Sequence, residues 1–208
     1  MRFKERVNLK VVILGPDGAG KSSVIEGLLE RLDGIGLTVK VRHLKPRIVA
    51  VWRGQTNVVV VDPHGSPARG ALFSVAKILV WIMEEWYSTL FQEERGALLI
   101  CDRYYHDLLV DPKRYRFGAP MWMARLVGRV MPQPRLWILL DAPAEILQTR
   151  KQEVAPEETA RQCGEYRSFI RKQRKHFIAD ASQSLEKVIA DVEQAVRASV
   201  IEKAGSRG

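Results

Sequence analysis

Two cysteines in 208 residues, Cys101 and Cys163, are too few for a disulfide framework, and Cys101 sits inside an apolar run. A reducing cytosol, and so a cytoplasmic location, is the expectation. Long apolar runs are missing too. The longest, Ala71–Met83, is interrupted by Lys77 and soon followed by Glu84 and Glu85, too short to cross a bilayer. The charged start MRFKERVNLK precedes an apolar run too short for a secretory signal. A soluble chain with no membrane partner is expected. Internal repeats, low-complexity linkers and composition shifts are absent as well, so a single domain, residues 1–205, is the default organisation. Aromatic residues make up only 8% and do not interleave with the one dense basic run, Arg171–His176. That argues against a base-stacking platform, and the run reads as a solvated helix face. Acidic residues are the scarcer charge, 24 against 33 basic, for a net charge of +9. This balance suits an anionic partner, and nothing in the chain resembles a nucleic-acid module.

What is present is alternation. Short apolar runs predict strands over Leu9–Leu14, Leu37–Arg42, Ala97–Cys101, Leu136–Leu140 and Phe177–Ala179. Longer periodic segments predict helices over Lys21–Leu32, Ala71–Glu93, Pro120–Val130, Ala144–Gln152, Glu157–Lys175 and Leu185–Glu202. In the first of these Val24, Ile25, Leu28, Leu29 and Leu32 make a one-sided stripe, stopped by Asp33-Gly34. Strands that are apolar throughout, separated by helices, predict an α/β fold with a parallel sheet covered on both faces. The four valines in Thr56–Pro67 suggest a further short strand.

Directly behind the first strand stands Gly15-Pro16-Asp17-Gly18-Ala19-Gly20-Lys21-Ser22, which satisfies the pattern G-x-x-x-x-G-K-[ST]. Glycines let the backbone wrap a phosphate, and the helix N-terminus adds positive potential at the same place. Lys21 is placed for the β- and γ-phosphates, and the Ser22 hydroxyl suits Mg²⁺. The loop is therefore expected to hold a nucleoside triphosphate. The expected architecture is a P-loop NTPase three-layer sandwich around a central, mostly parallel five-stranded sheet. A carboxylate is also needed near the metal. Asp102, at the end of the apolar run Ala97–Cys101, supplies one, with Arg103 beside it for phosphate.

The pairing of GPDGAGKSS with DRYY resembles the thymidylate kinase family of nucleoside monophosphate kinases. Gly96, the segment LLDAPAEILQTRK with Asp141, Glu145 and Arg150, and Ile178–Val192 are similar to the family as well. The resemblance implies ATP and Mg²⁺ as cofactors, with Gly15, Gly18, Ala19, Gly20, Lys21, Ser22 and Ser23 binding ATP and with Ser22 and Asp102 at the metal. It implies Asp17, Arg103 and Tyr104 at the acceptor, and a lid-like segment around 148–160. Because Gly18 stands where some relatives carry a loop arginine, it implies Arg150 as the catalytic lid cation, with Lys151 and Arg161 behind it. Lys21, Asp102 and Arg150 are thus the expected catalytic set. Ala181-Ser182-Gln183 falls where such kinases cradle adenine.

The acceptor half departs from the family pattern. Where the family has Arg-Glu-Pro, this chain has Leu44-Lys45-Pro46, which puts Lys45 among the expected acceptor-binding residues. The residues that read thymine in the family are replaced by YHDLLVDPKRYRFG, whose Lys113, Arg114 and Arg116 favour a more anionic or simply different acceptor. His43, His64 and His106 form no zinc spacing and are expected in plain polar roles. The function expected is transfer of the ATP γ-phosphate to a nucleoside monophosphate, dTMP first among them. The alternatives are a kinase of another small phosphorylated or hydroxylated metabolite, such as a sugar or glycan precursor, and a nucleotide switch or nucleic-acid-associated ATPase. The partner expected is a small anionic molecule; nucleic acid is disfavoured, and a homodimer is left open.

Overall fold

All six residues of strand β1 (Leu9–Leu14) are buried, Lys10 included, as a central parallel strand covered on both faces requires. The computed structural model describes residues 9–32, 38–43, 70–92 and 97–205. Strands β2 (Thr38–His43), β3 (Ala97–Asp102), β4 (Leu136–Asp141) and β5 (His176–Asp180) join β1 in one sheet of order β2-β3-β1-β4-β5. Every pairing is parallel. The fold is therefore α/β with an all-parallel five-stranded sheet flanked by helices.

Seven α-helices are present among the described residues: α1 (Lys21–Leu32), α2 (Ala71–Tyr87), α3 (Asp107–Val110), α4 (Met121–Val130), α5 (Ala144–Arg150), α6 (Pro156–Ile170) and α7 (Leu185–Gly205). One π-helical turn, Ser88–Gln92, prolongs α2. The residues fall into two compact units. The first holds the sheet with α1, α5, α6 and α7. Alternate residues of its strands, Leu9, Val11 and Ile13 beside Leu98, Ile100, Leu136, Ile138 and Leu140, share a core with Leu28 and Leu32 of α1 and Val192 and Val196 of α7. Trp137 lies edge-on to Tyr104 (5.7 Å) and to Phe169 of α6 (5.1 Å). Period-two alternation along buried strands produces this separation, and each fully buried aliphatic side chain contributes about 1.5–3 kcal/mol.

The second unit holds α2, α3 and α4. Its centre is aromatic: Trp81 lies edge-on to Tyr105 and Tyr115, and the Tyr105 hydroxyl donates to the Ala124 carbonyl at 3.0 Å. Lys77 sits over the Trp81 ring at 4.8 Å and donates to the Tyr115 carbonyl. Helix α2 buries Ser74, Ile78, Trp81 and Glu85, and it exposes Leu72, Leu79, Met83 and Trp86. Its outer face is as apolar as its inner one.

Several expected boundaries shift. Helix α6 stops at Ile170, not Lys175, because Ile170 is its last buried anchor; the Lys172 and Gln173 amides then turn back onto Phe169 and Ile170. The basic run Arg171–His176 is consequently a turn leading into β5, not a helix face. Helix α5 ends at Arg150, α2 gives way to the π-turn after Tyr87, and α3 went unanticipated because it is only one turn long. Leu37, the Asp33-Gly34 stop, Lys45, Pro46, the Thr56–Pro67 segment with His64, and Gly96 lie outside the described residues.

Candidate functional site

The β1–α1 loop is built by three positive φ angles, 153° at Gly15, 83° at Gly18 and 81° at Gly20. A Cβ on Gly15 would stand 2.8 Å from the Leu140 carbonyl oxygen, and one on Gly18 would stand 2.8 Å from that of Leu147. Only glycine meets both demands, backbone conformation and close approach. Helix α1 begins at Lys21, so its unpaired N–H groups face the loop. Lys21 is buried and folds back, donating to the carbonyls of Gly15 at 2.6 Å and Pro16 at 2.8 Å. Ser22 and Ser23 are exposed beside it, while Ala19 is packed under the loop.

Neighbouring strand ends bring the charged groups. Register places Ile13 beside Asp102 and Asp102 beside His43. His43 Nδ1 lies 2.8 Å from Asp102 Oδ2, and the other carboxylate oxygen, Oδ1, is buried without a hydrogen-bond partner among the described residues. Arg103 follows at φ 70°, a left-handed conformation that costs a non-glycine residue about 1–2 kcal/mol. Its amide donates to the Ile13 carbonyl at 3.2 Å, and its guanidinium reaches Asp17 Oδ1 at 2.6 Å. The strained turn thus aims Arg103 at the glycine loop. Tyr104 does not join this group: it is 1% exposed and turned onto Trp137.

The far side of the loop is closed by α5. Arg150 Nη1 donates to the Ala181 carbonyl at 2.7 Å, just past β5. There Asp180 accepts from the Ser182 hydroxyl, the Ser182 amide and the Gln183 side chain, which hold its carboxyl below the usual carboxylate range, the hydroxyl most of all. Asp141 at the end of β4 is gripped through both oxygens by Arg167 Nε at 2.8 and 3.0 Å, and the donation drives the guanidinium further toward its charged form.

Asp17, Lys21, Asp102 and Arg103 are therefore brought together around the loop. Lys113, Arg114 and Arg116 form a tight turn in the second unit, with the Arg116 amide on the Lys113 carbonyl and the Arg114 amide on Asp111. His43, expected in a plain polar role, faces Asp102, a pairing that only the β2–β3 register shows. The donors fit a metal-bound nucleotide. An orphaned buried carboxylate oxygen and an exposed serine hydroxyl are hard oxygen ligands, and two suffice for Mg²⁺, which keeps waters and phosphate oxygens for the rest. Among the described residues no group of three or more His, Cys, Asp or Glu offers an all-protein metal cage. No protein-family model matches this chain, and no curated protein matches it.

Proposed function

We propose that this chain is an ATP-dependent phosphotransferase of the P-loop nucleotide-kinase type. In this reading the P-loop NTPase sandwich forms one kinase domain over residues 1–205. The γ-phosphate passes to a nucleoside monophosphate, dTMP being the first acceptor to try. The observation that carries the reading is the glycine loop at the end of β1, with Lys21 folded onto its carbonyls and the orphaned Asp102 oxygen at the end of the adjoining strand. Phosphate would replace those carbonyls as the partner of Lys21, and Ser22 and Asp102 would hold Mg²⁺. The metal would neutralise charge on the phosphate oxygens. Arg103, held by Asp17, presents a planar fork suited to the acceptor's phosphate.

One observation favours a second reading, a hydroxylated acceptor such as a sugar or glycan precursor. His43 is exposed and held by a carboxylate at 2.8 Å, an arrangement that takes a proton from a hydroxyl. A phosphate acceptor has no such proton to lose.

The test is ATP-dependent turnover across dTMP, UMP, CMP, AMP, sugar phosphates and free sugars, with Lys21→Ala as the inactive control. Transfer to a monophosphate supports the first reading, and transfer to sugars alone the second. Wild-type turnover in the Lys21→Ala variant would remove both. A homodimer belongs to the reading as well, supported by the outward apolar row on α2.

A further inference from the structure

Three cations are candidates for a terminal phosphate: Arg150 at the end of α5, Lys151 directly after it, and Arg161 on α6. The structure engages them differently. Arg150 spends its guanidinium on the Ala181 carbonyl at 2.7 Å, bracing the turn after β5. Arg161 forks onto Glu158 at 2.9 and 2.6 Å along α6. Lys151 is where the chain leaves α5 in an extended conformation, φ −158° and ψ 125°, its amide still bonded to the Leu147 carbonyl at 2.9 Å. That same carbonyl presses on Gly18, and Lys151 Cβ lies 3.4 Å from the point a Gly18 Cβ would occupy. The root of the Lys151 side chain therefore stands against the glycine loop itself. Its four-carbon stem reaches roughly 5 Å from there. The ammonium is paired with Glu153 at 2.6 Å, and the two side chains are 51% and 30% exposed.

An ion pair this exposed contributes little, a few tenths of a kcal/mol to about 1. A phosphate group concentrates more negative charge than one carboxylate, so exchanging Glu153 for phosphate favours the phosphate. We infer that Lys151, and not Arg150, is the cation that meets the terminal phosphate of a bound nucleoside triphosphate, and that Glu153 holds it until then. The inference rests on the nucleotide-binding reading above and adds to it which side chain distinguishes a triphosphate from a diphosphate. Arg150, tied to the turn after β5, acts on both nucleotides alike.

The experiment is calorimetric binding of ADP and of the non-hydrolysable analogue AMP-PNP, each with Mg²⁺, to the full chain and to Lys151→Met, Lys151→Arg, Arg150→Met and Glu153→Gln. Lys151→Met should keep the wild-type ADP affinity within about twofold and lose about tenfold for AMP-PNP. Lys151→Arg should retain most of the AMP-PNP preference. Arg150→Met should weaken both ligands by the same factor, and Glu153→Gln should tighten AMP-PNP alone. Circular dichroism melts confirm that each variant is folded. An unchanged AMP-PNP to ADP ratio in Lys151→Met, or its loss in Arg150→Met instead, overturns the assignment to Lys151 while leaving nucleotide binding standing. A wild-type chain that binds neither ligand overturns the nucleotide reading, and the Lys151 role with it.

Discussion

His106 shows how one side chain couples this protein to pH. It is 6% exposed, and burial pushes its imidazole down from an ordinary value near 6.5 to about 4; an interaction with the Gly128 backbone opposes this only in part. Tyr105 lies edge-on to the ring at 6.0 Å. Above pH 6.5 the ring is neutral whether the chain is folded or not, so it adds no pH dependence there. Between about 6.5 and 4 the unfolded chain takes up a proton that the folded one refuses. Stability therefore falls as pH drops through that window, by at most about 1.4 kcal/mol per pH unit. Urea midpoints measured from pH 7.5 to 4 for the wild type and His106→Gln should show a shallower slope in the variant. Parallel slopes would mean that the buried ring does not titrate as its surroundings require.

At the scale of elements, the contact between α5 and the glycine loop makes a sharper claim. Gly18 and Gly20 have nearly the same φ, 83° and 81°, but a Cβ on Gly18 meets the Leu147 carbonyl at 2.8 Å while one on Gly20 meets nothing within 4 Å. Alanine at either position carries the backbone strain, about 1–2 kcal/mol. Only Gly18→Ala must also push α5 away. It should lose about 1–2 kcal/mol more than Gly20→Ala, a further fall in Tm of roughly 2–8 °C for a chain of this size. Equal melting temperatures would show that α5 does not press on the loop. The family resemblance points to Arg150, whereas the side chain whose Cβ lies by Gly18 is that of Lys151. Both were legible as basic residues after an apolar segment, but which one stands against Gly18 depends on where α5 ends, and no residue between 148 and 152 announces that end.

At the scale of the molecule, the outward row of α2 bears on assembly. Leu72, Leu79, Met83 and Trp86 are 88%, 50%, 69% and 43% exposed, and Trp122, Leu126 and Val130 of α4 are exposed as well. Trp86 Nε1 donates to the Val130 carbonyl at 3.0 Å, which sets the two rows side by side. A contiguous exposed apolar patch is the kind of surface that a two-fold dimer interface buries. Sedimentation should give a dimer for the wild type and a monomer for the Leu79→Glu, Met83→Glu double variant. A wild-type monomer at every concentration would remove the homodimer from the proposed function.

Local information carried far in this chain. The β1 and α1 boundaries, the glycine loop between them and Asp102 at a strand end were all readable, because each depends on spacing over a few residues: period two, period 3.6, and glycine where a turn needs it. The helix start and the loop's candidate donors follow from the same short range. Other features are properties of the folded sheet alone. The strand order β2-β3-β1-β4-β5 sets His43 beside Asp102, 59 positions apart, and brings Arg103 to Asp17, 86 positions apart. The same folding carries Arg150 to the Ala181 carbonyl and turns Tyr104 away from the site into the core. Register between strands is decided by the whole buried interface, since a slip of one residue reverses every side chain, and no short stretch of sequence contains that sum.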